Sequence, residues 1–138
     1  MVKYTLSTLF IICAMPVAFA KHVPPREIIE VKIDETGKSD DSAENVKSGC
    51  LLFTITENEV KSFFLKSYPV PTNFNVHNRY SPCYAKGTIA FSDNTQGEWK
   101  ISSSGGGILS WDTGDRITLF YDDYKWLDPF DGMYSSED

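Results

Sequence analysis

The chain has 138 residues, with 13 Lys and Arg against 19 Asp and Glu, a formal net charge of −6 and three cysteines. This acidic balance lacks the basic footprint that nucleic acid requires and does not favour docking on anionic lipid; it steers encounter with basic partners instead. Once a leader is removed, the length allows one domain of about 100–120 residues, enough for one core and too little for a large cleft between domains.

The N-terminus reads as a signal peptide. Lys3 is a short positive region, residues 4–17 are mostly apolar, and Ala18-Phe19-Ala20 places small residues where a signal peptidase reads, so cleavage is expected after Ala20. The run is short for a membrane span and is followed at once by Lys21, His22 and two prolines, so no membrane anchor is expected after cleavage. Ile12 before Cys13 is the wrong neighbour for a lipid-attachment site. The mature chain then has 12 basic against 19 acidic side chains, a formal charge of −7. It keeps two cysteines, Cys50 and Cys83, and in a periplasmic or secreted chain an even pair reads as a disulfide. A loop of this length is worth about 3–4 kcal/mol in the chain-entropy account. A reactive thiol pair would want Cys-x-x-Cys spacing or a nearby basic cluster, and neither is present.

From Lys21 the elements follow in order. Ile29, Val31 and Ile33 alternate with charged residues, the pattern of a half-buried strand that is either an edge strand or an arm. Residues 36–49 hold almost no large apolar side chains and read as a polar loop. The run from Cys50 to Ile55 predicts a strand. Thr56 and Glu59 form a capping box that opens a helix over 57–67, with Val60, Phe63 and Phe64 on one face and Pro69 and Pro71 as its stop. From Tyr84 the period changes to two. Ile89 and Phe91, then Trp99 and Ile101, then Ile108 to Trp111, then Ile117, Leu119 and Tyr121 mark four strands. Turns at 93–97, 104–107 and 112–115 separate them.

The predicted fold class is α+β: a four-stranded antiparallel meander packed on one helix, plus one or two N-terminal strands and one disulfide. The expected organisation is a signal peptide over 1–20, an N-terminal strand or arm and polar loop over 21–49, and a single α+β domain over 50–138. After Tyr121 the strand pattern fails, and Trp126 to Phe130 is expected to fold back as an aromatic clasp.

Catalytic and metal patterns are sparse. The two histidines are His22, at the mature terminus, and His77, in a loop, and no nucleophile-elbow motif selects a serine to join His77. Zinc would need more His or Cys ligands. The acids Asp112, Asp115, Asp122, Asp123, Asp128 and Asp131 lack the spacing of an EF-hand, and Asp112 and Asp115 suit turns without an ion. Ser102 to Gly107 lacks the Lys-Ser/Thr ending of a phosphate loop and reads as a hairpin turn. No metal or cofactor is expected. Recognition remains. Aromatics outside the core pattern are Tyr68, Phe74, Tyr80, Tyr84, Phe120, Tyr124, Trp126, Phe130 and Tyr134. Of these, Tyr84, Phe120, Tyr124, Trp126 and Phe130, with Asp122, Asp123 and Asp128, form the candidate interface. For Phe120 and Trp126, folding back on the sheet is an equal alternative.

The segments Ser81-Pro82-Cys83-Tyr84-Ala85-Lys86-Gly87, Phe91-Ser92-Asp93, Gly97-Glu98-Trp99-Lys100-Ile101 and Trp126-Leu127-Asp128-Pro129-Phe130 resemble small exported proteins of Gram-negative bacteria. The general pattern is similar to that of periplasmic immunity proteins, over roughly the last 60 residues. The shared features are turns, a disulfide and core tryptophans, so the resemblance transfers no site residue. It implies a non-enzymatic inhibitor or immunity protein that neutralises a toxin or wall-acting enzyme by occlusion, with a basic protein as partner. The alternatives are a small-ligand or carbohydrate-binding module with Trp99, Trp111 or Trp126 as platform, a small hydrolase using His77, or a part of an envelope assembly.

Overall fold

The computed structural model describes residues 26–74 and 79–133. The predicted leader, His22, His77 and Tyr134 lie outside the described residues. The chain forms β1 (Ile28–Ser39), α1 (Glu44–Cys50), α2 (Glu57–Lys66), β2 (Tyr68–Pro69), β3 (Cys83–Phe91), β4 (Gln96–Ser102), β5 (Gly106–Trp111) and β6 (Arg116–Phe120). All strands join one antiparallel sheet in the order β1-β3-β4-β5-β6-β2. The α+β class and the disulfide are as expected; among the described residues the meander β3–β6 is widened by β1 and β2 to a six-stranded sheet, and there are two helices where one was expected.

The run β3–β6 is a meander because short turns return each strand beside its predecessor. Asn94 takes φ 64° in the β3–β4 turn and Gly105 takes φ 96° in the β4–β5 turn, the left-handed geometry that Asn tolerates and Gly prefers. Alternation then sends Cys83, Ala85, Ile89 and Phe91 of β3, and Trp99 and Ile101 of β4, to the core face. The opposite positions, including Lys86, Thr88, Glu98 and Lys100, lie on the other face.

The helices cover the core face. The Thr56 capping box forms as the sequence predicts: Glu59 N donates to Thr56 Oγ1 at 3.3 Å, and Thr56 N donates to Glu59 Oε2 at 2.8 Å. Val60 and Phe63 are fully buried, and Phe64 packs edge-on against Phe63 with ring centroids 5.2 Å apart. A Cβ at Gly107 would lie 2.6 Å from Phe63 Cζ, so this glycine is the gap in the sheet that admits the Phe63 ring. The Ser67 amide closes the helix on Phe63 O, and Pro69 follows in β2 at the sheet edge, where a missing N–H is tolerated.

Two expectations are corrected. The stretch 36–49, read as polar loop, carries the end of β1 and all of α1 but its last residue, Cys50. The missed signal is Val46 and Cys50, four residues apart on one helix face; Val46 packs on the core and Cys50 is fully buried. β1 is therefore a sheet member, paired to β3 from Ile28↔Phe91 to Ser39↔Cys83, and not a separate arm. The second correction is the strand expected from Cys50 to Ile55. Cys50 ends α1, Leu51 and Leu52 turn outward, and Phe53 to Thr56 run without a ladder partner. Phe53 and Ile55 are buried there without a strand partner, the Phe53 amide donating to Cys50 O and its carbonyl accepting from Thr36 Oγ1, so the alternation was real but the pairing was not.

Candidate functional site

The C-terminal segment returns to the core after β6. Tyr121 is buried against Phe63, with ring centroids 6.4 Å apart, and its amide donates to Gly105 O at 2.9 Å. Trp126 sits between Phe53 and Tyr124: its centroid lies 6.0 Å from Phe53, and it stacks on Tyr124 at 4.9 Å with an interplanar angle of 12°. Its indole N–H donates to Ser103 O at 2.8 Å, which satisfies the one polar atom that burial would otherwise strand.

Asp128 is buried beside it and holds the turn. Ser103 Oγ donates to Asp128 Oδ1 at 2.8 Å, Phe130 N donates to the same oxygen at 3.2 Å, and the Tyr124 hydroxyl donates to Oδ2 at 3.4 Å. Arg79 Nη2 in turn donates to the Tyr124 hydroxyl at 3.3 Å. Ser81 Oγ lies 2.6 Å from Ser103 Oγ and accepts from Cys83 N, linking this network to the disulfided start of β3. Burial first, and the Asp128 carboxylate second, raise the Tyr124 pKa above its ordinary value. Ser103 is fully buried, and the Ser103–Asp128 pair fixes a turn.

The candidate interface residues divide among these environments. Trp126 and Asp128 are buried in the clasp, and Phe120 is buried on the opposite sheet face. There Phe74 and Tyr68 cover Phe120 at centroid distances of 4.9 and 5.9 Å, and Arg79 lies 5.7 Å over its ring. These three residues are removed from the exposed set. Tyr84 is half-buried on the same sheet face, 4.0 Å beneath Lys100 Nζ, and does not join the clasp. Tyr124 and Phe130 are half-buried at its margin, and Asp122 and Asp123 are exposed, Asp123 bonded to Lys125. The three tryptophans also separate: Trp99 and Trp126 are buried, and Trp111 is half-buried at the far end of the sheet.

A different apolar set is exposed around the clasp. Leu51, Leu52, Leu127 and Met133 are 71%, 62%, 62% and 76% exposed. Leu51 and Leu52 leave the end of α1; Leu127 and Met133 belong to the C-terminal segment. Two contacts bring these segments together: the Phe53–Trp126 ring pair, and Phe130 packed on Gly49, where a Cβ would lie 3.1 Å from the ring. The Met133 amide bonds back to Phe130 O, which keeps Met133 beside this contact. Asp122, Asp123 and Asp131 in the same C-terminal segment are exposed. Sequence reading missed Leu51 and Leu52 because an apolar pair next to a cysteine looks like buried strand.

Among the described residues, no helix is long and apolar enough to cross a membrane, and no three His, Cys, Asp or Glu side chains are grouped as metal ligands would be. No protein-family model matches the chain, and neither a curated protein nor a solved structure matches it.

Proposed function

We propose that this chain is an exported, non-enzymatic binding protein that neutralises a basic partner by occlusion, in the manner of a periplasmic immunity protein or an inhibitor of a wall-acting enzyme. The observation that carries this reading is the exposed set Leu51, Leu52, Leu127 and Met133, held together by the clasp and neighboured by carboxylates. Large apolar side chains left in water on adjoining segments are the usual centre of a protein interface, and charged residues form its rim. The acids steer a basic partner toward the surface; the leucines exclude water from the contact once it forms. The buried disulfide fits an oxidising compartment.

The test is co-expression of the full chain with the exported toxin or wall-acting enzyme encoded beside its gene. Growth protection and a complex on gel filtration are expected. Leu52→Asp and Leu127→Asp should abolish both, whereas Lys86→Ala, on the far sheet face, should leave both intact. Neither protection nor a complex with the unaltered chain would remove this reading.

A further inference from the structure

The Cys50–Cys83 bridge lies between the two segments that carry the exposed apolar set. Cys50 ends α1, and Leu51 and Leu52 follow at once. Their turn is closed by Leu52 N donating to Gly49 O at 3.1 Å and Phe53 N donating to Cys50 O at 2.9 Å. It is seated on β1, where a Cβ at Gly37 would lie 3.0 Å from Cys50 O and 3.2 Å from Leu51 Cα. Cys83 reaches the other segment. Its carbonyl accepts from Ser103 N at 3.0 Å, and its amide donates to Ser81 Oγ at 3.1 Å. Ser103 in turn holds both neighbours of Leu127. Its carbonyl accepts the Trp126 indole N–H and its hydroxyl donates to Asp128 Oδ1, each at 2.8 Å. The bridge therefore fixes Leu51 and Leu52 relative to Leu127.

The rest of the fold has other supports. β1 pairs with β3 from Ile28↔Phe91 to Ser39↔Cys83, and β3 pairs with β4 from Tyr84↔Ser102 to Ala90↔Gln96, through ladders that need no bridge. α2 has its capping box and the buried Val60 and Phe63. α1 has seven residues and no side-chain cap bond, too short to persist without a tertiary anchor. Without the bridge, α1 and the leucine turn lose that anchor. Phe130 then loses its seat on Gly49, and Met133 is bonded to Phe130 O. We propose that the Cys50–Cys83 bridge is a redox switch for the leucine surface. The disulfide assembles Leu51, Leu52, Leu127 and Met133 into one surface, and the dithiol chain keeps its sheet but leaves that surface unassembled. This regulation rests on the protein-binding reading above. Closure is a thiol–disulfide exchange. The two thiols give two protons and two electrons to a protein disulfide of the oxidising compartment; the Cys50–Cys83 bond forms, the S–S bond of the oxidant breaks, and the oxidant leaves as a dithiol. The chain thus becomes competent only where disulfides form, and its apparent affinity scales with the fraction of chains that carry the assembled surface.

The experiment compares the exported chain with its Cys50→Ala/Cys83→Ala variant, first by hydrogen exchange and then by titration with the exported toxin or wall-acting enzyme encoded beside its gene. In the variant the Leu52, Phe53 and Met133 amides and the Trp126 indole N–H should lose their protection, while the amides of β4 remain protected. The Kd for that partner should rise about tenfold. Gly87→Ala, which weakens the fold with the bridge intact, should leave the Kd unchanged. Loss of protection throughout β4 would overturn the proposal, because the bridge would then hold the fold and not the surface. Protection kept at Met133 and Trp126 would overturn it as well. A complex as tight with the variant, or weakened equally by Gly87→Ala, would sink the switch and leave the protein-binding reading standing. If the unaltered chain binds no such partner, that reading falls, and the exchange result alone decides whether the bridge assembles the surface.

Discussion

Gly87 shows how much one missing side chain can decide. A Cβ there would overlap the Lys32 carbonyl oxygen of β1 and lie 2.7 Å from Trp99 Cζ2. The Trp99 indole occupies that space and donates to Thr88 O at 3.0 Å. Because the obstructing atom is backbone, Gly87→Ala should destabilise the fold by about 1–3 kcal/mol, measurable as a lower urea midpoint. Tyr124 yields a second prediction at this scale. Burial and then Asp128 raise its pKa above the ordinary 10.0, so the folded chain holds the phenol proton more tightly than the unfolded chain does. That contribution is fully present below the unfolded pKa and is lost as pH rises through the folded one. Absorbance titration should show one tyrosine ionising late, and Tyr124→Phe should remove that step.

The two helices fold for different reasons. α2 carries its own start and stop signals, so its location was legible from Thr56, Glu59 and Pro69. Thr56→Ala removes one side of the capping box and should cost about 1 kcal/mol by chemical denaturation. α1 has seven residues and no side-chain cap bond, too short to stand alone. It is held by Cys50–Cys83, which brings the two Cα atoms to 5.0 Å across a separation of 33 residues. Reduction should therefore cost about 2–5 kcal/mol. Hydrogen exchange should show the α1 amides losing protection before those of β3 and β4, because the sheet ladder does not depend on the bridge.

The whole molecule is acidic, and its proposed partner is basic. The association rate of a complex should therefore fall steeply with added salt while dissociation changes little, as stopped-flow or surface-resonance kinetics would show. A salt-independent association rate would mean that charge does not steer the encounter. The charged sheet face is a separate surface: Lys86 is paired with Glu35 at 3.1 Å and Lys100 with Asp40 at 2.8 Å, so these cations already have acidic neighbours within the chain.

The four meander strands, the α2 helix, the disulfide pairing and the return of the C-terminal clasp were all legible in sequence. Each rests on local signals: period-two alternation, a capping box, turn residues, an even pair of cysteines. The ends of the sheet were not legible. β2 is two residues long and contains a proline, and β1 extends past its apolar alternation, which ends at Ile33, through Asp34 to Ser39. Their pairing depends on which neighbour lies beside them, and local periodicity does not encode that. The candidate surface was half legible for the same reason. Composition marks aromatics and acids as available, but exposure is a property of the packed chain. Only the tertiary structure placed Trp126 and Asp128 inside and left Leu51 and Leu52 outside, because burial is decided by the partners that long-range packing supplies.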